Sequence, residues 1–390
     1  MASLCAVAKE SGTTFARDAL QDYVSSGELP GVITVFSRGD VEETTCLGFA
    51  DVAAKRSITM DDPFQQCSQT KGFCGVSVAM LVEEGRLRLD DPVKAYLPEF
   101  GELWVEQGSS NGVRCLEKAR GELTLRMCLT HTGGLRYEIP YNEQMGGWSR
   151  RMPLRSVAAI AVSMPLVCEP GTQVNYSNLG FDIAAAVVEV VSGERWEDFL
   201  QRRLLGPLDM KQTTFKPSDE QLQRKIEIYA VKQGVKARWI REMKDMQGPY
   251  NDDRVFPSAG GGLWTTARDQ LKFYKMLMNL GVGENGARVL KTETVKSLLA
   301  RSQRPQGMGK DGYSLGFSAP IIDDEDQFFG HGGAWGSQCL VNWHRKELRM
   351  IVVQLVRGFY FREVVADAAR KFFHHSVDDS GVNCYTGRRQ

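Results

Sequence analysis

A serine and a lysine three positions apart precede a long apolar segment of the chain. Residues 67–73 read Cys-Ser-Gln-Thr-Lys-Gly-Phe, and residues 74–82 are almost entirely apolar. Because apolar side chains cover every face of a 3.6-residue period there, the pattern predicts a buried helix that ends at Gly85. Ser68 would then lie in the first turn of this helix. Lys71 would share its face, with the two side-chain roots about 5 to 6 Å apart.

This spacing supplies a nucleophile and a base. A serine hydroxyl is a weak nucleophile until a neighbouring group takes its proton. Burial lowers the pKa of a lysine, so the neutral amine of Lys71 could be that base near neutral pH. The N–H groups of the first helical turn would favour negative charge developing beside Ser68. Ser-x-x-Lys also occurs by chance in ordinary helices, so the assignment depends on further motifs.

A second polar motif, Asn-Tyr-Ser-Asn-Leu-Gly, occupies residues 175–180 and precedes an apolar helix that begins near Leu179. In a locally extended backbone Tyr176 and Asn178 would point to the same side. A cationic lysine nearby would favour the phenolate of Tyr176, which could share the proton transfers. Asn178 could hold the lysine or a substrate carbonyl. The alternative is a turn with a buried tyrosine and a helix-capping asparagine.

A third motif, Phe-Gly-His-Gly-Gly-Ala-Trp-Gly-Ser-Gln, occupies residues 329–338 beside a predicted strand. Its candidate substrate-binding or supporting residues are His331, Gly332, Gly333, Ala334 and Trp335. Glycines would let a ligand approach the backbone, and the N–H of Ala334 could pair with that of Ser68 as an oxyanion hole. The alternative is a bulge or tight turn.

Other features of the sequence are weaker. Trp148 and Tyr250, with Trp335, are candidate pocket walls or ordinary packing. Residues 108–112 match Gly-x-Ser-x-Gly, the nucleophile elbow of α/β-hydrolases, but neither the preceding strand nor the following helix is evident, which favours a loop. Residues 260–262 are three glycines without a following Lys-Ser or Lys-Thr, and the five histidines lack His-Glu-x-x-His spacing. We predict no cofactor and no metal.

Composition narrows the classes of partner. The 390 residues predict two or three domains, and 48 basic residues balance 48 acidic ones. This balance favours a small neutral substrate, and not nucleic acid or an anionic membrane surface. Attack by the candidate nucleophile Ser68 would make that substrate an ester or an amide. Nine cysteines without a Cys-x-x-Cys pair favour free thiols. With no secretory signal or apolar membrane segment evident, we expect a cytoplasmic location.

Strand patterns lie near both ends of the chain and helical patterns lie between them. A helix at 15–24 and strands at 31–38 and 41–50 come first, and strands at 313–319, 338–342 and 348–356 precede a helix at 363–375. The helices predicted between them lie near residues 124–131, 153–164, 179–192, 194–205 and 266–280.

This arrangement predicts an α+β fold whose antiparallel sheet contains strands from both chain ends. We expect a discontinuous sheet lobe of residues 1–100 and 310–390 with flanking helices. A mostly helical lobe, residues 101–309, would be inserted between its halves. Within it, residues 211–254 are polar and indicate a solvated flap or, alternatively, a basic binding patch. The site would lie in the crevice between the lobes.

The order Ser-x-x-Lys, Tyr-x-Asn, His-Gly-Gly resembles that of the serine beta-lactamases and penicillin-binding proteins. The chain is most similar to the class C beta-lactamase-like group, which includes D,D-peptidases, D-aminopeptidases, family VIII carboxylesterases and acyltransferases. The resemblance extends from Leu-Pro-Gly at 29–31 through Leu-Thr-His-Thr-Gly-Gly-Leu at 129–135 to the final helix. It implies a beta-lactamase/transpeptidase-like fold in which Ser68 is acylated, Lys71 and Tyr176 share its proton, and Asn178 orients them. His131 is assigned to a structural turn.

His331 departs from the resemblance, because beta-lactamases usually carry the lysine of Lys-Thr-Gly there. Imidazole is largely neutral at pH 7, so the anchor for a beta-lactam carboxylate is weaker. We therefore expect a serine hydrolase of small carboxylic esters, with weak beta-lactam hydrolysis at most. Alternatives in the same group are a beta-lactamase, a D-amino-acid peptidase and an acyltransferase. A sensor protein that is acylated without turnover is the alternative from another class.

Overall fold

The computed structural model describes residues 14–137, 152–231, 239–240, 256–300, 312–319, 321–322, 326–356 and 360–378. The α-helices in these ranges are α1 Phe15–Ser25, α2 Thr70–Glu83, α3 Leu125–Leu129, α4 Leu154–Ala161, α5 Leu179–Ser192, α6 Trp196–Leu200, α7 Asp219–Arg224, α8 Ala267–Met278, α9 Thr292–Leu299 and α10 Tyr360–Asp378. Short 3₁₀ turns lie at Cys67–Gln69, Val93–Ala95 and Pro98–Gly101, and a π-helical turn at Gln201–Leu205 follows α6.

The strands are mostly short outside one large sheet. They are β1 Gly31–Arg38, β2 Val41–Asp51, β3 Arg56–Ser57, β4 Phe64–Gln65, β5 Trp104–Ser110, β6 Val113–Lys118, β7 Ala230–Val231, β8 Trp239–Ile240, β9 Trp264–Thr265, β10 Gly312–Tyr313, β11 Ser318–Ala319, β12 Ile321–Ile322, β13 Asp326–Gln327, β14 Phe329–Gly332, β15 Gly336–Asn342 and β16 Glu347–Gln354.

The large sheet contains strands from both ends of the chain. Its order is β10-β11-β14-β15-β16-β1-β2-β3, and its neighbouring strands run antiparallel. The two ends meet where β1 pairs with β16, with Ile33 opposite Val352. The predicted α+β class and shared antiparallel sheet are therefore confirmed. The lobe boundaries near residues 100 and 310 stay a prediction.

Both faces of the sheet are covered because successive side chains of a strand point to opposite sides. On β1, Ile33 and Val35 belong to the main core, which contains most of the α2 side chains. Val32 and Phe36 belong to a second cluster with residues of α1 and α10. The terminal helices therefore cover one face of the sheet, and the helix that follows Ser68 lies on the other.

Helix α2 confirms the buried helix predicted after Ser68. All of its residues from 70 to 81 are buried. A side chain at Gly75 would place Cβ 2.1 Å from the carbonyl oxygen of Leu315, so this helix packs directly against backbone. Gly85 follows the helix with a φ of +72°. This left-handed conformation favours glycine and confirms the predicted end.

The five helices predicted between 124 and 280 are present with boundaries shifted by a few residues, whereas α7 and α9 were not predicted. The loop expected at 108–112 is wrong in part. Ser109 lies on β5, and the turn to β6 follows at Asn111 and Gly112, which have φ values of +51° and +77°. Every side chain of β6 is exposed, so it lacks the apolar alternation that signals a strand. The serine of the Gly-x-Ser-x-Gly match is Ser110, the last residue of β5. A second strand, and not a helix, follows it, so this segment is not a nucleophile elbow.

The strand expected over 313–319 is interrupted. Gly316 has a φ of +93° and its N–H donates to Ser314 O at 2.7 Å, which separates β10 from β11.

The proposed flap is described only at 211–231 and 239–240. Trp148 and Tyr250 lie outside the described residues. None of the helices in the described ranges has the length and apolarity needed to cross a bilayer.

Candidate active site

Ser68 and Lys71 are brought together as the helical spacing predicts. Ser68 lies in the 3₁₀ turn that leads into α2, and Lys71 lies in the first turn of α2. The Lys71 Nζ atom is 3.2 Å from Ser68 Oγ. Lys71 is completely buried, whereas Ser68 is partly exposed. A substrate could therefore reach the hydroxyl while the amine stays out of bulk water.

The backbone before Ser68 is strained and held from two sides. Cys67 has a φ of +51°, a left-handed conformation that costs a non-glycine residue on the order of 1 kcal/mol. The Thr70 hydroxyl donates to Cys67 O at 2.7 Å and accepts from the Leu263 N–H at 3.2 Å. The turn that presents Ser68 is thus fixed by its own helix and by the segment that leads into β9.

Two oxygen atoms hold the Lys71 amine in place. Nζ lies 2.6 Å from Asn178 Oδ1 and 2.6 Å from the carbonyl oxygen of Gly260. Burial lowers the pKa of Lys71 to about 7, against opposing contributions from Asp182, Cys67 and Cys74. A large fraction of the amine is therefore neutral near pH 7 and able to accept a proton.

Tyr176 lies beside Lys71, as predicted, but its hydroxyl is neutral, whereas the sequence analysis expected the phenolate to be favoured. Its ring centroid is 4.7 Å from Lys71 Nζ, and 38% of the residue surface remains exposed. Burial raises the pKa of the Tyr176 hydroxyl, although the adjacent Ser68 side chain opposes the rise. The favoured phenolate was therefore wrong, since the expectation counted the lysine charge and not burial. Tyr176 is a proton donor in this state.

Asn178 reaches Lys71 by a route different from the one predicted. Its φ of −75° and ψ of −36° are helical, so the backbone is not extended through this residue. It occupies the N-cap position of α5, yet its side chain makes no capping hydrogen bond. The side chain instead accepts from Lys71, as the functional interpretation of this motif requires.

His131, which the sequence analysis assigned to a structural turn, lies beneath Tyr176. The two rings are 4.2 Å apart, and His131 Nδ1 accepts from the Ser177 N–H at 3.0 Å. Its Nε2 has no hydrogen-bond partner among the described residues. Burial lowers the pKa of His131 well below its usual value. A neutral imidazole therefore packs against the tyrosine ring. The sequence signal for this role was a histidine between two threonines, just before a pair of glycines.

Asp182 and Gly260 were not identified as site residues. Asp182 is only 4% exposed, and its Oδ1 accepts from the Ala259 N–H at 2.8 Å and the Gly260 N–H at 3.2 Å. A Cβ at Gly260 would lie 2.7 Å from that of Asn178, so glycine permits this close contact. The available signals were an aspartate inside the apolar α5 sequence and the glycines at 260–262.

His331 is buried and hydrogen-bonded on both ring nitrogens. Nδ1 lies 2.7 Å from Gly332 O, so it carries the proton, and Nε2 accepts from the Tyr313 hydroxyl at 3.0 Å. Burial, reinforced by the Lys71 charge, lowers the pKa of His331 to about 3. The ring is therefore neutral at pH 7 and provides no cation for a substrate carboxylate.

Close packing accounts for the glycines after His331. A Cβ at Gly332 would lie 2.5 Å from Arg362 Nη2, and one at Gly333 would lie 2.7 Å from Gln66 O. The Arg362 guanidinium donates to Gly333 O at 2.7 Å and to Ser337 O at 2.8 Å. Protein atoms thus lie where a side chain at Gly332 or Gly333 would be placed. Approach of a ligand to their backbone stays a prediction.

Ala334 and Trp335 form the turn between β14 and β15. Ala334 is exposed. Burial raises the pKa of the Cys67 thiol to about 12, and the adjacent N–H groups of Ala334 and Trp335 oppose the rise. Pairing of the Ala334 N–H with that of Ser68 as an oxyanion hole stays a prediction. Trp335 is 8% exposed and donates from Nε1 to Gln65 Oε1 at 3.2 Å, while its pocket-wall role stays a prediction.

In the described ranges, acidic, histidine and cysteine side chains form no cluster suited to a metal ion.

The fold and the site together define a protein of the serine beta-lactamase and penicillin-binding-protein class, an enzyme superfamily of serine hydrolases. A family model described as Beta-lactamase matches residues 16–375. The chain therefore belongs to the beta-lactamase family.

Several relatives and solved structures are similar over most of the chain. Protein Rv1367c of Mycobacterium tuberculosis is 28% identical over 333 residues, which cover 81% of each chain. Simvastatin synthase (LovD) from Aspergillus terreus superposes with a TM-score of 0.75 at 22% identity, covering 95% of this chain and 98% of its own. EstCE1, described as a hydrolase with promiscuous acyltransferase activity, has a TM-score of 0.74 at 19% identity, with 91% and 97% covered. At these identities the two structures establish the shared fold.

Proposed function

We propose that this protein hydrolyses small carboxylic esters through an acyl-enzyme formed on Ser68. The observation that carries the proposal is the buried Lys71 amine, 3.2 Å from Ser68 Oγ, with a pKa lowered to about 7 by burial. An ordinary lysine would be almost entirely protonated at neutral pH and could not accept the serine proton. Burial thus supplies the base that this nucleophile needs.

Acylation needs a neutral Lys71 amine that accepts a proton and a neutral Tyr176 hydroxyl that donates one. Ser68 Oγ attacks the ester carbonyl carbon while its proton passes to Lys71 Nζ, and N–H groups of Ser68 and Ala334 stabilise the oxyanion. The ester C–O bond then breaks. The departing alkoxide takes the Tyr176 hydroxyl proton, and the Lys71 ammonium returns its proton to Tyr176. Water then attacks the acyl carbon while Lys71 Nζ takes one of its protons. The bond between the acyl carbon and Ser68 Oγ breaks, the Lys71 ammonium returns that proton to Ser68 Oγ, and the carboxylic acid leaves.

An ester fits the electrostatics of the site better than a beta-lactam. His331 is neutral and already hydrogen-bonded, so it offers no positive charge to a carboxylate. Tyr137 is 51% exposed, and its ring stacks beside that of Tyr176 with centroids 6.1 Å apart. This aromatic surface suits the apolar acyl or alcohol group of an uncharged ester.

A comparison of two chromogenic substrates tests the proposal. Wild-type protein should turn over p-nitrophenyl acetate many times and hydrolyse a chromogenic cephalosporin much more slowly. Ser68→Ala should lose about 10³-fold or more of ester kcat/KM. Ser109→Ala is the matched control, because Ser109 is an exposed serine on the β5–β6 hairpin and should leave the rate unchanged.

Each other outcome contradicts a specific part of the proposal. Equal ester cleavage by Ser68→Ala would remove Ser68 as the nucleophile. One equivalent of nitrophenol without further turnover would indicate a sensor that is acylated and not a hydrolase. Faster cephalosporin turnover would indicate a beta-lactamase. Ester product in place of free acid, when an alcohol acceptor is added, would indicate an acyltransferase.

A further inference from the structure

Asp182 is a buried acid whose contacts lead to the Lys71 amine. It lies four residues after Asn178, so the two side chains share one face of the start of α5. Its Oδ1 accepts three hydrogen bonds from one segment of chain. The donors are Ser258 Oγ at 3.1 Å, the Ala259 N–H at 2.8 Å and the Gly260 N–H at 3.2 Å. A single carboxylate oxygen therefore holds the 258–260 segment against α5.

The held segment makes direct contact with the amine. The carbonyl oxygen of Gly260 is 2.6 Å from Lys71 Nζ, and Asn178 Oδ1 is also 2.6 Å from it. Gly260 can approach only because it has no side chain, since a Cβ would lie 2.7 Å from that of Asn178. Both oxygen ligands of the amine thus depend on the start of α5, one directly and one through Asp182.

We propose that Asp182 is a positioning residue for Lys71, which fixes the Gly260 carbonyl against the amine and thereby aims the amine at Ser68. For catalysis this inference rests on the proposed role of Lys71 as the base. Asp182 itself is not placed in contact with the reacting atoms. A displacement of the amine by about 1 Å can cost up to about 100-fold in rate, so an anchor of this kind has a measurable effect.

Asp182 also acts on the charge of the amine. The titratable groups that lie around Lys71 are Cys67, Cys74, His131, Tyr176, Asp182 and His331. Burial raises the pKa of the thiols and of the phenol and lowers that of both imidazoles. The pKa of Asp182 is raised to about 6, so Asp182 is the member of this set that carries negative charge at pH 7. Its charge favours the ammonium form of Lys71 and opposes the effect of burial.

Two substitutions separate the charge from the hydrogen bonds. Asp182→Asn keeps an Oδ1 acceptor but removes the charge, so the acid limb of the kcat/KM profile should move to lower pH by roughly one unit. The rate above pH 8 should change less than about threefold. Asp182→Ala removes the acceptor as well, and the rate per folded enzyme above pH 8 should fall about 10- to 100-fold.

Asp269 provides the matched control. Asp269 lies on α8 and is 3% exposed. Like Asp182, it accepts hydrogen bonds from a distant segment, here from the Gln212 N–H at 2.7 Å and the Thr213 hydroxyl at 3.1 Å. Asp269→Asn and Asp269→Ala should lower the thermal midpoint in a similar way. They should leave the acid limb and the rate per folded enzyme unchanged.

A spectroscopic titration distinguishes failure of this inference from failure of the proposed function. In protein labelled with ¹³C-lysine, the Lys71 Cε resonance, assigned by its loss in Lys71→Met, reports the amine pKa without any substrate. A lower Lys71 pKa in Asp182→Asn supports the inference even if ester hydrolysis proves independent of Ser68. An unchanged Lys71 pKa, with rates affected no more than in the Asp269 variants, would overturn it.

Discussion

The ionisation of Lys71 leads to a quantitative prediction for the pH dependence of the enzyme. Burial lowers its pKa from the usual 10.5 to about 7. That difference corresponds to about 5 kcal/mol of preference for the neutral amine in the folded state. At pH 7 the neutral fraction becomes about one half, in place of roughly one in 3,000 for an exposed lysine. The fold thus raises the supply of base by about 10³-fold.

The assay is kcat/KM for a nitrophenyl ester between pH 5 and pH 9, followed at the isosbestic wavelength of nitrophenol. We expect the rate to fall below pH 7, because only the neutral amine accepts the Ser68 proton. Ionisation of Lys71 alone would lower the rate at pH 5 about 50-fold. Protonation of Asp182, whose pKa is about 6, removes a charge that favours the ammonium form of Lys71, so the fall should be smaller than this. Lys71→Met should lose 10²- to 10⁴-fold of the activity. Lys211→Met, at a lysine whose side chain is 79% exposed, should retain the wild-type profile.

The same ionisation affects stability with a defined sign. Because the folded-state pKa of Lys71 is lowered, the unfolded chain binds more protons at this residue between about pH 7 and pH 10.5, and stability rises with pH across that window. Between pH 7 and pH 9 the wild-type free energy of unfolding should therefore gain about 2 kcal/mol relative to that of Lys71→Met. A flat rate profile, or an unchanged stability difference, would refute the assignment of a neutral amine.

Two further substitutions test the site and its support. Tyr176→Phe should lower kcat/KM about 100-fold and keep the limb near pH 7, because the hydroxyl delivers a proton but does not set the base ionisation. Tyr137→Phe should change it little, and equal losses in both variants would contradict the donor role. Gly75→Ala should lower the free energy of unfolding by about 3 kcal/mol in urea titrations, since its Cβ would lie 2.1 Å from Leu315 O. Gly101→Ala, with no atom within 4 Å of its Cβ, should change it by less than about 0.5 kcal/mol, and a similar loss would refute the packing argument.

The geometry of Ser68 and Lys71 could be predicted because it depends on one local helix. Apolar residues on every face of α2 identify a buried helix, and a separation of three residues then places the hydroxyl beside the amine. Burial of Lys71 follows from the same pattern. The apolar periodicity of α2 therefore predicted both the position of the base and the lowering of its pKa.

The remainder of the site depends on contacts between distant parts of the chain. Arg362 of α10 fills the space beside Gly332, a contact that the glycine motif does not reveal. The ionisation of Tyr176 was wrong because charge was weighed without burial. Asp182 acts on the amine through residues 258–260, and its only local signal was an acid within an apolar helix. Hairpin β5–β6 was missed because its second strand is exposed throughout.

Covalent labelling tests the central claim most directly. A fluorophosphonate probe traps an activated serine, and tryptic digestion would release residues 57–71, which end at Lys71. We predict a single adduct whose fragment ions place the label on Ser68 and not on the adjoining Cys67, with labelling lost in Ser68→Ala. An adduct on any other peptide, or undiminished labelling of Ser68→Ala, would contradict the account.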